Sequence, residues 1–164
     1  MDQLMPVIGT AALLGSALVG GIFFTFSSFV MKALARVPSA AGIGAMQSIN
    51  VVVLNPSFLG AFIGTAVVSL GAGGLALADW GRPSAPFFLG GALFYLVGTS
   101  LVTGLRNVPL NDQLAAVSAT DPAARDVWER YVSRWTAWNH VRTAAAMVAA
   151  LLYSLGLMQN GGTG

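Results

Sequence analysis

Four long apolar runs constrain what this chain can fold into. They cover about residues 4–28, 57–78, 86–105 and 139–158. A helix of about 20 apolar residues spans the roughly 30 Å hydrocarbon core of a bilayer. We therefore expect a protein that crosses a membrane four times as helices.

The composition supports a membrane location and argues against a nucleic-acid partner. Of the 164 residues, 55% are hydrophobic and only 9% are charged, with a mean hydropathy of +0.73. About one quarter of the residues of an ordinary soluble domain are charged. The formal net charge is only +2, and no basic patch is interleaved with aromatic residues. We expect the partner to be the lipid bilayer, with no binding of nucleic acid.

The expected fold is an all-α integral membrane up-down four-helix bundle, with residues 1–164 forming a single domain. A short interfacial helix is expected from Ser39 to Asn50, after the first spanning helix. Asn55 precedes Pro56, and an N-cap followed by proline at the first helical position marks the start of the second spanning helix.

The same signal occurs at Asp121 and Pro122, before the last apolar run. A helix from there to Met158 would measure about 55 Å, so the long final helix would extend beyond the bilayer. Small residues at i, i+4 spacing inside the apolar runs predict close helix packing, and they are compatible with a homo-oligomer. These pairs are Ser16 and Gly20, Gly60 and Gly64, and Ala145 and Ala149.

The loop charges predict the orientation. No Lys or Arg precedes the first apolar run, only Asp2, so that run lacks the basic start of a cleavable signal peptide and should remain as a helix. The connections after the first and third runs contain six basic residues: Lys32, Arg36, Arg106, Arg125, Arg130 and Arg134. The connection between the second and third runs lies on the other side of the membrane and contains one basic residue, Arg82. Since basic loops stay on the cytoplasmic side, both termini should be non-cytoplasmic, in a bacterial inner membrane.

The start of the last apolar run contains the first group of candidate functional residues. Trp135, Thr136, Asn139, His140, Arg142 and Thr143 cover a helical arc of about 160°. Ionisable residues near hydrocarbon usually face a bundle interior or a wet cavity. The arc, with Asn139, His140 and Arg142, is therefore a candidate functional site. The alternative is that Arg142 extends to lipid phosphates and His140 caps interfacial structure.

Amides and aromatic rings form the second group of candidates. They follow the first and third apolar runs, so they are expected at the same membrane face. Amides can orient a carbonyl or a phenol, and rings can line a slot for a flat ligand. Capping of helices by the amides and anchoring of Trp138 at the interface are the alternatives. The candidate substrate-binding residues are Gln47, Asn50, Asn55, Asn111, Asp112, Phe24 and Trp138.

Several classes of site are excluded or disfavoured. The chain has no cysteine, which excludes disulfides, iron–sulfur clusters and thiolate metal sites. One histidine is too few for a tight transition-metal site, although His140 with Asp112 and amide oxygens would be a weak set of ligands. No nucleophile elbow or phosphate-binding loop occurs within the spans. We therefore expect no bound cofactor, and a weakly held metal at His140 and Asp112 stays open as an alternative.

Four groups of residues, taken in order, resemble the anthrone oxygenase-like family, formerly a domain of unknown function. They are the run GGIFFTFS, the pair AMQSIN and NPSF, the run NVPLND, and the run WTAWNHVRT. The resemblance covers about residues 8–158. It implies a four-helix membrane protein whose characterised fungal relatives oxidise anthrones to anthraquinones with O2 during aromatic polyketide biosynthesis, a monooxygenase type of oxidoreductase reaction.

The resemblance also implies roles for the candidate residues. Deprotonation of an anthrone gives an electron-rich carbanion that reduces O2 without a cofactor, so the protein would supply a base, oxyanion donors and a dry aromatic slot. His140 is the expected base. The expected oxyanion donors are Arg142, Asn139, Asn50 and Gln47, while Asn111 and Asp112 would shape the mouth or orient the imidazole.

The sequence is consistent with two other functions. The chain is also consistent with a module that binds or transports a small hydrophobic or quinone-like molecule without transforming it. It is further consistent with a structural subunit that needs a partner protein.

Overall fold

The computed structural model describes residues 3–121 and 123–161, and within them it contains helices and turns but no strand. Four helices are long and apolar enough to cross a membrane. They are α1 (Leu4–Leu34), α3 (Pro56–Ala78), α4 (Ala85–Ala115) and α5 (Ala124–Gly161), with the short α2 (Ser39–Val52) between α1 and α3. The expectation of an all-α integral membrane four-helix bundle is confirmed.

The helices extend further than the apolar runs because a polar residue does not by itself end a helix. α1 continues past residue 28 to Leu34, and α4 continues past residue 105 to Ala115. α5 has 38 residues, about 57 Å at 1.5 Å per residue, which exceeds the roughly 30 Å hydrocarbon core. The long final helix is confirmed. Asp2 and Pro122, on which two sequence arguments depended, lie outside the described residues.

Three stretches of π-helix interrupt the regular winding of α1 and α4. They are Phe26–Val30 in α1, and Phe94–Leu101 and Thr103–Asn107 in α4. The last of them directly precedes a regular segment, Val108–Ala115, that carries Pro109 near its start. A proline has no N–H to donate, and the first turn of a helical segment tolerates it. α4 therefore continues through Pro109 instead of ending before it.

Small residues allow the spanning helices to approach closely. A methyl group at Gly15 of α1 would overlap the Thr65 hydroxyl oxygen of α3, and one at Gly98 would lie 2.5 Å from the Ala145 methyl carbon. Ser16 and the pair Ala145 and Ala149 are also buried, as their spacing predicts. The prediction for Gly60 and Gly64 is wrong, because both face away from the other helices with no atom within 4 Å of an added methyl group.

The outer surface of the bundle is apolar and the interior contains hydroxyl groups. Leu14, Val67 and Leu70 are at least 64% exposed, while Ser16 and Ser69 are fully buried. This distribution suits a protein in lipid, where burial of apolar side chains gains little and small residues favour close packing. The bundle is therefore an integral membrane domain.

We expect Gly91→Ala to destabilise the protein by about 1–3 kcal/mol, because overpacking of a filled core costs that much. The new methyl group would lie 2.8 Å from a ring carbon of Tyr153, which is fully buried. Thermal unfolding in detergent micelles measures the effect. The matched control is Gly74→Ala on the open side of α3, where no atom lies within 4 Å and stability should be unchanged or rise by up to about 1 kcal/mol. Equal stability of the two variants would contradict tight packing at Gly91.

Candidate functional site

A cavity of about 330 Å³ lies at the end of the bundle where α2 packs against α5 and the last turns of α4. We call it the α2-end cavity. Its walls are mainly apolar and aromatic and include Ile22, Phe23, Phe26, Phe58 and Trp135. Its polar lining is Gln47, Asn50, Thr103, Asn111, Asp112 and Arg142. An apolar pocket with a few convergent polar groups is the usual form of a small-molecule site.

Arg142 of α5 is the central polar group of this cavity. The residue is 6% exposed. Its Nε donates to Asn139 Oδ1 at 2.8 Å, and Nη1 donates to Thr103 Oγ1 at 3.4 Å. The guanidinium carbon lies 3.9 Å from the ring centroid of Phe23 and 4.8 Å from that of Trp135. Aromatic faces attract a cation, so the two rings stabilise the guanidinium inside the bundle.

No carboxylate pairs with Arg142 among the described residues. The ion pairs found there join Arg82 to Asp79 and Arg125 to Glu129. A buried charge costs several kcal/mol unless charged or hydrogen-bonding groups compensate it. A guanidinium has five N–H donors, and the two hydrogen bonds of Arg142 leave three of them without an acceptor in the part of the chain that the structure describes. The cavity therefore presents to any ligand that enters it a cation that is not paired with a carboxylate among the described residues.

Asn139 holds Arg142 in place and does not itself line the cavity. It is fully buried, and its Nδ2 donates to the carbonyl oxygen of Phe23 at 2.7 Å and to Ser27 Oγ at 2.6 Å. Its Oδ1 accepts from Arg142, so both ends of the amide are engaged. Asn139 thereby fixes α5 against α1 and orients the guanidinium. The sequence prediction placed it in direct contact with substrate, and the structure gives it a positioning role instead.

Asn111 lines the cavity with its amide in a fixed orientation. Its Oδ1 accepts from the Tyr131 hydroxyl at 2.9 Å and from Trp135 Nε1 at 2.8 Å. An indole N–H can only donate, so the oxygen of the amide must face Trp135. The two N–H groups of Nδ2 have no acceptor among the described residues. Asn111 therefore does not cap a helix, and it offers donors to the cavity.

The amides of α2 also reach the cavity. Gln47 Nε2 donates to the carbonyl oxygens of Leu114 and Val117, both at 2.9 Å, and so satisfies carbonyl groups at the end of α4. Asn50 lines the cavity and interacts with the Tyr131 hydroxyl. Asp112, in the last turns of α4, is the one carboxylate of the described lining. One carboxylate with amide oxygens is a poor set of ligands for a transition metal.

The expectation that His140 faces this cavity is wrong. His140 is exposed and lies in an outer groove with Lys32, Ser133 and Thr136. Trp135, Asn139 and Arg142 recur at i, i+4 and i+7 and form the buried face of α5. His140 follows Asn139 by one residue, about 100° further around the helix, and so it points outward. The predicted polar arc was too wide.

Three other predicted binding residues also lie outside the cavity. Phe24 is 56% exposed on the outer surface of α1. Asn55 is the N-cap of α3, because its Oδ1 accepts from the backbone N–H of Phe58 at 3.0 Å, so capping is its confirmed role. Trp138 packs its ring against the guanidinium of Arg106, 4.8 Å from the ring centroid. None of the three lines the α2-end cavity.

Two lining residues, Phe23 and Thr103, were not among the sequence candidates. Phe23 is the ring closest to Arg142, but its neighbour Phe24 has the same type of side chain and only packing distinguishes them. Thr103 begins the π-helical stretch Thr103–Asn107. Nothing in the sequence marks that stretch, so helical periodicity alone could not assign Thr103 to the cavity.

A family model described as Anthrone oxygenase matches residues 55–152 of the chain. The match covers more than half of the sequence and includes α3, α4 and most of α5, with Asn111, Asp112 and Arg142 among the matched positions. No curated protein and no solved structure gives a match. The resemblance to this family is thereby confirmed over residues 55–152, which contain NPSF, NVPLND and WTAWNHVRT, and the chain belongs to the anthrone oxygenase family.

Proposed function

We propose that this protein is a membrane-embedded oxygenase that uses O2 to oxidise an anthrone-like phenolic or polycyclic aromatic compound bound in the α2-end cavity. Family membership supports an oxygenase-like function at the level of the family. The observation that carries the proposal for this chain is the buried cation of Arg142, which contacts two aromatic rings and pairs with no carboxylate among the described residues.

The chemistry of an anthrone explains why this cation matters. Loss of a proton from the CH2 group opposite the carbonyl gives an aromatic anion whose negative charge lies largely on the oxygen. A preorganised cation and N–H donors stabilise such a developing charge more strongly than water does. Arg142 supplies the cation, and Asn111 Nδ2 supplies further donors. Phe23, Phe26 and Phe58 provide apolar walls for a flat ring system.

The anion is rich enough in electrons to reduce O2 directly, so the reaction needs no bound redox cofactor. Its carbon attacks O2 to give a peroxide, and loss of water from the hydroperoxide then forms the second carbonyl group. One anthrone and one O2 give one anthraquinone and one water. The cavity volume of about 330 Å³ is at the lower end of the range for small-molecule sites, which suits a compact substrate.

We further infer that the α2-end cavity lies near the cytoplasmic face of a bacterial inner membrane, with both termini on the other side. Lys32, Arg36 and Arg106 belong to the end of the bundle that contains α2, and basic residues favour the cytoplasmic side. Four spanning helices return the chain to the side from which it started. A substrate with fused rings would then partition into the bilayer close to the cavity.

We expect the purified protein in detergent or lipid nanodiscs to consume one O2 for each anthraquinone formed from anthrone. Arg142→Met should lower kcat/KM by about 100- to 1,000-fold, the usual effect of removing a donor that stabilises an oxyanion. An oxygen electrode and the absorbance of the product measure both quantities.

The matched control for this experiment is Arg106→Met, because Arg106 stacks on Trp138 outside the cavity and should leave kcat/KM within a few fold of the wild type. Thermal unfolding shows whether each variant is folded. Saturable binding of anthrone with no O2 uptake by the wild type would instead support the binding or transport module.

We expect anthracene-carboxylate to bind more tightly than neutral anthracene-methanol, which has a similar shape, because Arg142 has no internal counter-ion. A hydrogen bond to a charged group contributes about 1.5–3 kcal/mol, so the preference should be about 10- to 100-fold. Isothermal titration calorimetry measures it without any turnover. Arg142→Met should abolish the preference, and an equal affinity of the wild type for both compounds would argue against an anion site.

A further inference from the structure

Asp112 and Arg142 are the two residues with ionisable side chains in the described lining of the α2-end cavity. The carboxylate comes from α4 and the guanidinium from α5. No ion pair joins them, so their charged atoms lie more than 4.0 Å apart. A cavity lined by a carboxylate and a guanidinium that are not paired can hold a molecule that reacts with both. The molecule can give a proton to the carboxylate while the negative charge that develops on its oxygen is stabilised by the guanidinium.

We propose that Asp112 is the general base of the reaction and accepts the proton from the CH2 group of the substrate while Arg142 receives the developing negative charge on the oxygen. This inference rests on the proposed function. It assigns to a carboxylate the role that the sequence had given to His140. A carboxylate can serve as the base for a carbon acid when oxyanion donors stabilise the enolate.

The π-helical stretch in α4 explains how Asp112 reaches the cavity. A π-helix bonds residue i to residue i+5, which brings those two positions to the same side of the helix. Thr103 and Val108 both line the cavity with this spacing. The regular turns that follow carry Asn111, Asp112 and Ala115 to the cavity at i+3, i+4 and i+7 from Val108.

Neighbouring hydrogen bonds fix the backbone of this segment and leave the carboxylate free. Asn111 is held by Tyr131 and Trp135, and the carbonyl oxygens of Leu114 and Val117 are held by Gln47. The Asp112 side chain makes no hydrogen bond or ion pair with another described residue. It is also exposed, so a proton that it accepts can pass to water.

The other groups around Asp112 do not compete for the role of base. The lining also includes Arg142, a cation, and α2 contributes the neutral amides of Gln47 and Asn50. The Tyr131 hydroxyl is buried and donates its proton to Asn111. On the other side of the last turns of α4, a separate groove with Gln113 is lined by two further cations, Arg130 and Arg134.

The proton and electron balance needs only O2 besides the substrate. Asp112 takes the first proton, the carbon forms a bond to O2, and the two electrons of that carbon reduce O2 to a peroxide. The protonated carboxyl group returns its proton to the peroxide oxygen. Asp112 then removes the remaining proton from the same carbon while the O–O bond breaks and hydroxide leaves. The hydroxide takes up that proton and becomes water.

Hydrogen–deuterium exchange tests the base separately from the reaction with O2. Anthrone is incubated without oxygen in D2O near neutral pH, and NMR follows loss of the CH2 signal, with the protein-free rate subtracted. The wild type should catalyse the exchange. Asp112→Asn should lower both this exchange and aerobic turnover by at least about 100-fold, the lower range for removal of a general base, and Asp112→Glu should restore part of both.

Two controls distinguish loss of the base from loss of the fold. Asp126→Asn, which changes an exposed carboxylate in the first turn of α5, should leave exchange and turnover unchanged. Asp112→Asn should still bind anthracene-carboxylate at least as tightly as the wild type, since one negative charge leaves the cavity.

Three results would overturn the assignment. If Asp112→Asn kept the wild-type exchange rate while the wild type oxidised anthrone, Asp112 would not be the base and the proposed function would stand. If Asp112→Asn lost affinity for anthracene-carboxylate together with exchange, Asp112 would have a structural role. If the wild type neither exchanged nor oxidised anthrone, the proposed function and the role of Asp112 would both be wrong.

Discussion

A buried guanidinium with neutral partners is the constraint on which the functional end of this bundle depends. Arg142 must be compensated inside a membrane domain, and the chain does this with two aromatic faces, one amide and one hydroxyl. These groups come from α1, α4 and α5, so compensation of one charge fixes three helices relative to one another. The same partners leave part of the guanidinium open, which makes the charge available to a ligand.

The two ends of the bundle differ in how their helices meet. Through most of the spans, glycine and alanine permit contacts too close for an added methyl group, as at Gly15, Gly91 and Gly98. Toward the α2 end, larger side chains such as Phe23 and Trp135 face each other around a cavity, and α2 covers part of it. Small residues thus make a rigid support, and bulky residues held by hydrogen bonds make the pocket.

The separate placement of the two charges in the cavity lining relates the structure to the proposed reaction. An oxygenase that forms a carbanion needs a proton acceptor and an oxyanion site that do not neutralise each other when the cavity is empty. Asp112 and Arg142 are placed on different helices without an ion pair between them, and Asn111, fixed by Trp135, adds donors. A module that only binds its ligand would not need an unpaired carboxylate in the same cavity as its anion site.

The sequence by itself determined the helical membrane fold, the number of spans, the long last helix and the cap at Asn55. Each of these depends on residues that are close together in the chain: the apolar runs predict the spans, and Asn55 before Pro56 predicts the cap. It also placed Gln47, Asn50, Asn111, Asp112 and Arg142 at one end of the bundle. Only the tertiary structure decided which polar residues face inward. Arg142 lies inside and His140 outside, because two residues separate them and this turns the helix by about 200°. The π-helical stretch in α4 and the packing of α1 against α5, which no local pattern encodes, then set the face that each helix presents to the cavity.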